Sequence, residues 1–315
     1  MSTQSMSYRI SYGKAQVPLY RVYATPLSGL TPIPESDFTG RGNTIFALLV
    51  DVEVFGENFL PAYTEGDNSS VVATDSMKNL VLAQALEYEG ATLEGFLDVL
   101  GRRFLSLYPQ MQALRLSATE QPFLAARVAN GRGDFKDSAV LFSRSQGDHT
   151  FASLDCDRQG DGGAYRVTAH TCARRGLQLI KVTGSSFTRF VRDQHTTLPE
   201  RSDRPLYIHL DVSWTYADPG AMLAGDPGGY VAAEQVRDVV QSVFDSFVSE
   251  SIQHLVHEMG KRLLERFPGM ATVSFEAQNH TWDPAVVSRS DPRVKVYVDP
   301  FPAYGTIRLA LSRGV

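Results

Sequence analysis

The stretch LGRRFLSLYPQMQALRLSA (Leu100–Ala118) lies over MGKRLLERFPGMATVSFEA (Met259–Ala277) without a gap. Gly101/Gly260, Arg103/Arg262, Leu105/Leu264, Pro109/Pro268 and Met111/Met270 match. Each copy reads as the end of an amphipathic helix, a proline-containing turn and a strand, because proline cannot continue the helical hydrogen-bond ladder. A match at this separation points to duplication of one supersecondary unit.

The element order around the two blocks repeats as well. In the first half, strands are predicted at 8–22 and 43–55. A helical stretch begins near DNSSVVATDSMKN, with Asp67, Asn68 or Ser69 as candidate N-caps. A second helix lies in TLEGFLDVLGRRFLSLYP, where Leu93, Phe96, Leu100, Phe104 and Leu107 form an apolar stripe. In the second half, strands are predicted at 177–188 and 206–216, helices within 235–267, and strands at 270–280 and 294–298. LYIHLDVSWTY (Leu206–Tyr216) alternates apolar with polar residues, the mark of an antiparallel sheet covered on one side. The polar stretches 131–150, 157–165 and 217–229 read as loops. The expected fold is α+β: two ββααβ(β) units, residues 1–150 and 151–315, with helices on one sheet face. Open antiparallel sheets leave edges, so closure into a ring or barrel with other subunits is expected.

Composition narrows the function. The 315 residues are 43% hydrophobic and 21% charged, with net charge −5 and a pI near 5.8. That excludes a basic footprint for nucleic acid or anionic membrane. No apolar run of about 18 residues and no charged-then-apolar leader is present, so neither a membrane span nor a signal peptide is expected, and with only two cysteines a reduced, cytoplasmic protein is the default expectation. LALSRGV carries no peroxisomal tripeptide. Two cysteines, Cys156 and Cys172, make no disulfide framework and no zinc spacing. His254 and His257 lie three apart before Glu258, but the HExxH order is absent and no metal site is expected. Dinucleotide, P-loop and nucleophile-elbow signatures are missing.

Three stretches stand out. YGK (Tyr12–Lys14) puts a lysine on a strand, Asp67–Asn79 packs polar residues around a helix start, and Gly184–Arg204 is a charged connection holding Phe187 and Phe190. Singly, these read as a solvated charge, ordinary capping and a loop. Together the chain resembles the urate oxidase (uricase) family. The resemblance rests on SYGKAQV, YTEGDNSSVVATDSMKN, TGSSFTRFVRDQHTTLPERSDR, SESIQHLVHEM and NHTW, and runs from about Tyr8 to Arg313.

The resemblance implies a tandem T-fold and a homotetramer of stacked barrels whose sites are shared between subunits. It implies a cofactor-free oxidase, with urate and O2 as substrates and 5-hydroxyisourate and hydrogen peroxide as products. Lys14, Thr74 and His280 fall on the family's catalytic residues, and Asp75 on a residue that reaches a neighbour's substrate. Phe187 falls on the stacking ring, Arg204 and Gln253 on the pair that grips the purine, and Ile252 on a backbone N–H donor. The chemistry suits a flat anionic heterocycle. An arginine fork and a glutamine amide offer paired hydrogen bonds, and a phenylalanine face adds stacking. A desolvated lysine serves as base, a threonine passes the proton on, and a histidine completes the path.

One position departs. The family has Asn-x-His, whereas here Gln278 stands two before His280. Strand alternation places Gln278 with His280, Ser274 and Glu276, and turns Asn279 to the other face. Gln278 is therefore the expected substrate-side amide. Its extra methylene leaves two alternatives: an oxidase for another purine-like or fused-ring heterocycle, or a non-catalytic binding paralogue.

Overall fold

The computed structural model describes residues 6–131, 133–159, 164–223, 227–299 and 303–314. Its first half runs β1 (Ser11–Val22), β2 (Ile45–Phe55), α1 (Leu60–Thr64), α2 (Thr74–Glu87), α3 (Leu93–Leu107), β3 (Ala113–Glu120), β4 (Phe123–Ala129), β5 (Phe135–Arg144) and β6 (His149–Arg158). The second runs β7 (Tyr165–Lys181), β8 (Leu206–Tyr216), α4 (Gly220–Leu223), α5 (Ala233–Ser246), α6 (Ile252–Arg266), β9 (Met270–His280), β10 (Asp283–Val287), β11 (Lys295–Val298) and β12 (Gly305–Ser312). Each half is therefore two strands, two long helices, a strand, a small hairpin and a closing strand.

The repeated block forms the same local structure twice. Thr92 caps α3 by accepting from the Gly95 N–H at 3.2 Å, and Ser251 caps α6 by accepting from the His254 N–H at 3.1 Å. After each helix a turn closes with a 3.0 Å bond, Met111 N–H to Tyr108 O and Met270 N–H to Phe267 O. The paired glycines allow close helix–sheet approach. A Cβ on Gly101 would stand 3.0 Å from Cys156 Sγ, and one on Gly260 would stand 2.6 Å from Leu311 Cδ1.

Eight strands form one antiparallel sheet in the order β1-β2-β3-β6-β7-β8-β9-β12, and β4–β5 and β10–β11 are separate hairpins. One face carries Val52, Leu116, Leu154, Ile208, Val212 and Phe275, all buried under α2, α3, α5 and α6. Burying each such side chain stabilises by roughly 1.5–3 kcal/mol. The opposite face is polar, with cross-strand pairs Arg115–Asp155 at 2.7 Å and Arg308–Glu276 at 3.1 Å. β1 and β12 are the free edges.

Several boundaries differ from the sequence reading. The stretch 131–150 holds β5, and 157–165, of which 160–163 lie outside the described residues, overlaps the end of β6 and the start of a β7 that begins at Tyr165, well before 177. β5 is exposed on both faces, so no apolar alternation marks it. Residues 294–298 overlap hairpin strand β11, and the strand that closes the second half is β12. The position 150/151 falls inside β6. α2 starts only at Thr74 with Ala73 as its N-cap, because Asp67 spends its carboxylate on the Ser69 N–H at 2.9 Å. Cys156 and Cys172 are buried free thiols.

Where the halves meet, Arg41 bonds Glu120 at 3.2 Å and Glu234 at 2.8 Å, while Arg174 bonds Asp148 and lies 3.8 Å from Glu120. Beside them Glu94 is fully buried and accepts from Tyr230 Oη at 3.0 Å. Burial holds its carboxyl above the usual range, and the Tyr230 bond and the charge of Arg41 offset this only in part. A raised carboxyl pKa means that the folded chain keeps a proton the unfolded chain gives up near pH 4.3. Stability is therefore lost as pH rises from that point through the folded value. Glu94→Gln is expected to abolish this loss: the variant should gain on the wild type in urea unfolding as pH rises above the ordinary carboxyl range.

Candidate functional site

β1 is broken by a bulge. Lys14 pairs with Val52, the register then shifts, and Val17 pairs with Val50. Gln16 takes a positive φ of 56°, and its N–H donates to Asp51 Oδ1 at 2.5 Å. β7 has the same device: Gly176 at φ 77° donates to Asp211 Oδ1 at 2.8 Å, with the shift after Arg174. Arg174 thus occupies the place of Lys14 in the second half. Arg174 is buried and bonded to Asp148 and Thr150. Lys14 is half-buried and has no hydrogen-bond acceptor among the described residues. It lies on the helix-covered face, opposite buried Val52.

The start of α2 is tied to this edge by Tyr12, whose hydroxyl accepts from the Val72 N–H at 3.1 Å. Thr74 opens the helix, half-buried, and Ala73 supplies no side-chain cap. The exposed Asp75 bonds Lys78 at 2.6 Å and Asn79 at 3.0 Å. The Lys78 bond, with a smaller contribution from the charge of Lys14, holds its carboxyl below the usual range.

A second cluster gathers at the opposite end of the strand order. Ser186 N–H donates to Ser249 O at 2.8 Å, Phe187 exchanges backbone bonds with Arg201 at 2.8 and 3.0 Å, and Arg204 N–H donates to Ser185 O at 2.9 Å. These bonds hold residues 185–187 between the entry to α6 and the return strand leading into β8. The Arg204 guanidinium lies 5.5 Å from the Phe187 ring centre, and Phe190 stacks on Phe187 at 4.8 Å and 12°. Arg189, at a positive φ of 59°, turns the chain so that this stack can form. Ile252 and Gln253 open α6, where first-turn N–H groups lack helical partners and favour an anion.

β9 runs beside this cluster without a bulge at its end: His209 pairs with Gln278, Ile208 with Asn279 and Tyr207 with His280. Gln278 stands on the polar face between His209 and Thr306. The His280 ring lies 4.2 Å from His209, 5.6 Å from Tyr207 and 5.2 Å from Tyr304. Tyr207 Oη donates to Gln178 at 2.9 Å and lies 3.0 Å from His209 Nε2. Burial, with His280 alongside, holds His209 below the ordinary histidine range. Sequence reasoning missed Tyr207 and His209, although their alternation with Ile208 already placed them on the polar face.

Three polar atoms at this end are buried without a partner: Arg204 Nε, Asn279 Oδ1 and His280 Nε2. Left so, each costs roughly 1–3 kcal/mol, a cost that a polar ligand here would offset. Burial and the nearby Arg201 both disfavour the Arg204 cation, so an anion there would be welcome. Asn279 was not expected here. Alternation correctly turns it to the Ile208 face, the face of β9 on which α6 packs. Nothing short of the burial pattern signals this.

The nine residues singled out in the sequence thus fall into two groups. Phe187, Arg204, Ile252, Gln253, Gln278 and His280 surround the N-terminal end of β8, while Lys14, Thr74 and Asp75 sit at β1. Five ladder steps separate β1 from β8, about 24 Å along the sheet. His254 packs on Phe247 at 4.6 Å and His257 bonds Glu258 at 3.1 Å. Among the described residues no three His, Cys, Asp or Glu side chains could share a metal ion.

The family model described as Uricase matches residues 50–153 and 171–308. The chain is 48% identical to the uricase of Haloferax volcanii, over 97% of this chain and 98% of that one. It is 43% identical to the Bacillus subtilis uric acid degradation bifunctional protein PucL, covering 98% of this chain and 62% of that longer one. The crystal structure of Bacillus sp. TB-90 urate oxidase matches with a TM-score of 0.94 at 41% identity, over 97% of this chain and 100% of that one. Bulge, platform and unpaired polar atoms therefore sit in a chain that belongs to the uricase family.

Proposed function

We propose that the protein is a urate oxidase that converts urate, O2 and water to 5-hydroxyisourate and hydrogen peroxide without metal or flavin, in a site closed between two subunits. The observation that carries this reading is the junction of the two halves. There Arg174 and Glu234, at the places of Lys14 and Asp75, meet Glu120 and Arg41. Glu120 occupies the place that Asn279 takes in the second half. A second chain whose β1 joins β12 by the same rule would bring its Lys14, Thr74 and Asp75 to Asn279, His280 and Arg204. The halves are then tandem T-fold units, joined in the β6–β7 connection. Two eight-stranded sheets would close head to tail into a barrel, and two barrels would stack as a tetramer. Closure also removes both free edges.

In this site Phe187 supports the ring, Arg204 and Gln253 grip its edges, and the Ile252 N–H adds a donor. The partner's Lys14 takes a proton from urate, Thr74 passes it on and His280 completes the path. The electron-rich dianion gives two electrons to O2, which leaves as peroxide, and water supplies the new hydroxyl. Gln278 flanks the reacting face beside His280, and Asn279 flanks it from the α6 side. Among the described residues no helix is long and apolar enough to cross a membrane, and the two free cysteines suit a reducing, cytoplasmic setting.

Purified, metal-stripped protein is expected to bleach urate absorbance while consuming oxygen. No urate loss at micromolar enzyme rejects the proposal. The glutamine at 278 supports one other reading, an oxidase for a different fused-ring heterocycle, which predicts oxygen uptake only with that compound in a substrate panel.

A further inference from the structure

Lys181 ends β7, and its ammonium donates to three backbone carbonyls, Phe244 O, Asp245 O and Phe247 O, each at 2.9 Å. They lie at the C-terminal end of α5, where helix carbonyls have no intrahelical partner and a cation meets the negative end of the helix dipole. An ammonium has three donors, so all are used. Two arms of the candidate site leave this clip. One runs from Lys181 to Phe187, and the other from Phe247 to Ile252 and Gln253. Further out the arms are fastened again by Ser186 N–H to Ser249 O at 2.8 Å and by the buried hydroxyls of Ser249 and Ser185 at 3.3 Å.

We propose that Lys181 is a positioning residue for the substrate: it sets the spacing between the Phe187 ring and the first turn of α6. This rests on Phe187, Ile252 and Gln253 being substrate contacts, as read above. Lys181 itself touches no substrate.

The first half holds the same clip without the same duty. Arg21, near the end of β1, donates to Ala85 O at 3.0 Å and to Tyr88 O, at the end of α2. No candidate site residue lies between α2 and α3, and Thr74 and Asp75 sit at the far end of a 14-residue helix, about 20 Å away. Arg21 thus supplies an internal control for the purely structural effect of such a clip.

The test compares Lys181→Met with Arg21→Met in the full-length protein, assayed below both melting temperatures. Both variants are expected to melt earlier. Lys181→Met should raise KM for urate, and the dissociation constant of urate measured without oxygen, about tenfold, with kcat within about threefold. Arg21→Met should leave both constants unchanged. Equal changes in the two variants, or none in Lys181→Met, overturn the proposal. Should Lys181→Met not fold, Lys181→Cys can be alkylated with bromoethylamine to restore an ammonium of near-lysine length, because Cys156 and Cys172 are only 1% and 0% exposed. Recovery of the wild-type KM is expected, and a KM that stays high after alkylation overturns the proposal. Amide exchange at Ser186 and Phe187 should quicken in Lys181→Met alone. Unchanged exchange there refutes the clip even if the wild type oxidises no urate, which separates this failure from failure of the urate reading.

Discussion

Lys14→Met is expected to lower kcat by about 10²–10⁴-fold, the span of a lost general base, while urate binding without oxygen changes by less than about threefold. Equal loss of both would refute the base assignment. The larger consequence follows from the strand order, which sets Lys14 and Arg204 at separate ends of one chain. Arg204→Met should be inactive for a different reason, the lost grip on the purine. Co-expressed subunits carrying one defect each would then regain activity, because half the mixed interfaces unite an intact Lys14 with an intact Arg204. Random pairing sets the ceiling at about a quarter of the wild-type rate. A mixture no more active than its parents would place the whole site within one chain and end the shared-site proposal.

Arg204→Met is expected to do two opposite things. Loss of a charge-assisted fork should cut kcat/KM by about 10²–10³-fold, equivalent to roughly 3–4 kcal/mol. The unliganded protein should become more stable, by up to about 1 kcal/mol, because a largely buried cation with an unpaired Nε is removed. Melting temperatures without ligand, set beside steady-state kinetics, check both signs. If the variant loses stability along with activity, the guanidinium is a structural element and not one held ready for an anion.

The legible and illegible parts of the fold divide by the range of the interactions that encode them. The turns at Pro109 and Pro268 and the paired glycines Gly101 and Gly260 are specified within a few residues, so the repeat exposed them, whereas the α6 start at Ser251 lay outside the repeated block and was not marked. β5 and the first part of β7 were missed, since strands with polar residues on both faces carry no periodic signal. The N-cap of α2 was misplaced because Asp67 had a nearer backbone donor to satisfy.

At the site the sequence by itself determined the residue types, the duplication and, through strand period, the face on which each β9 side chain lies. The tertiary structure alone decided that Lys14 stands apart from Arg204, because ladder order depends on which strands pair and not on their distance along the chain. It also decided that Asn279 Oδ1 is buried without a partner. Alternation assigns a side chain to a face, but whether a helix such as α6 packs over that face is a long-range packing outcome that no local pattern records.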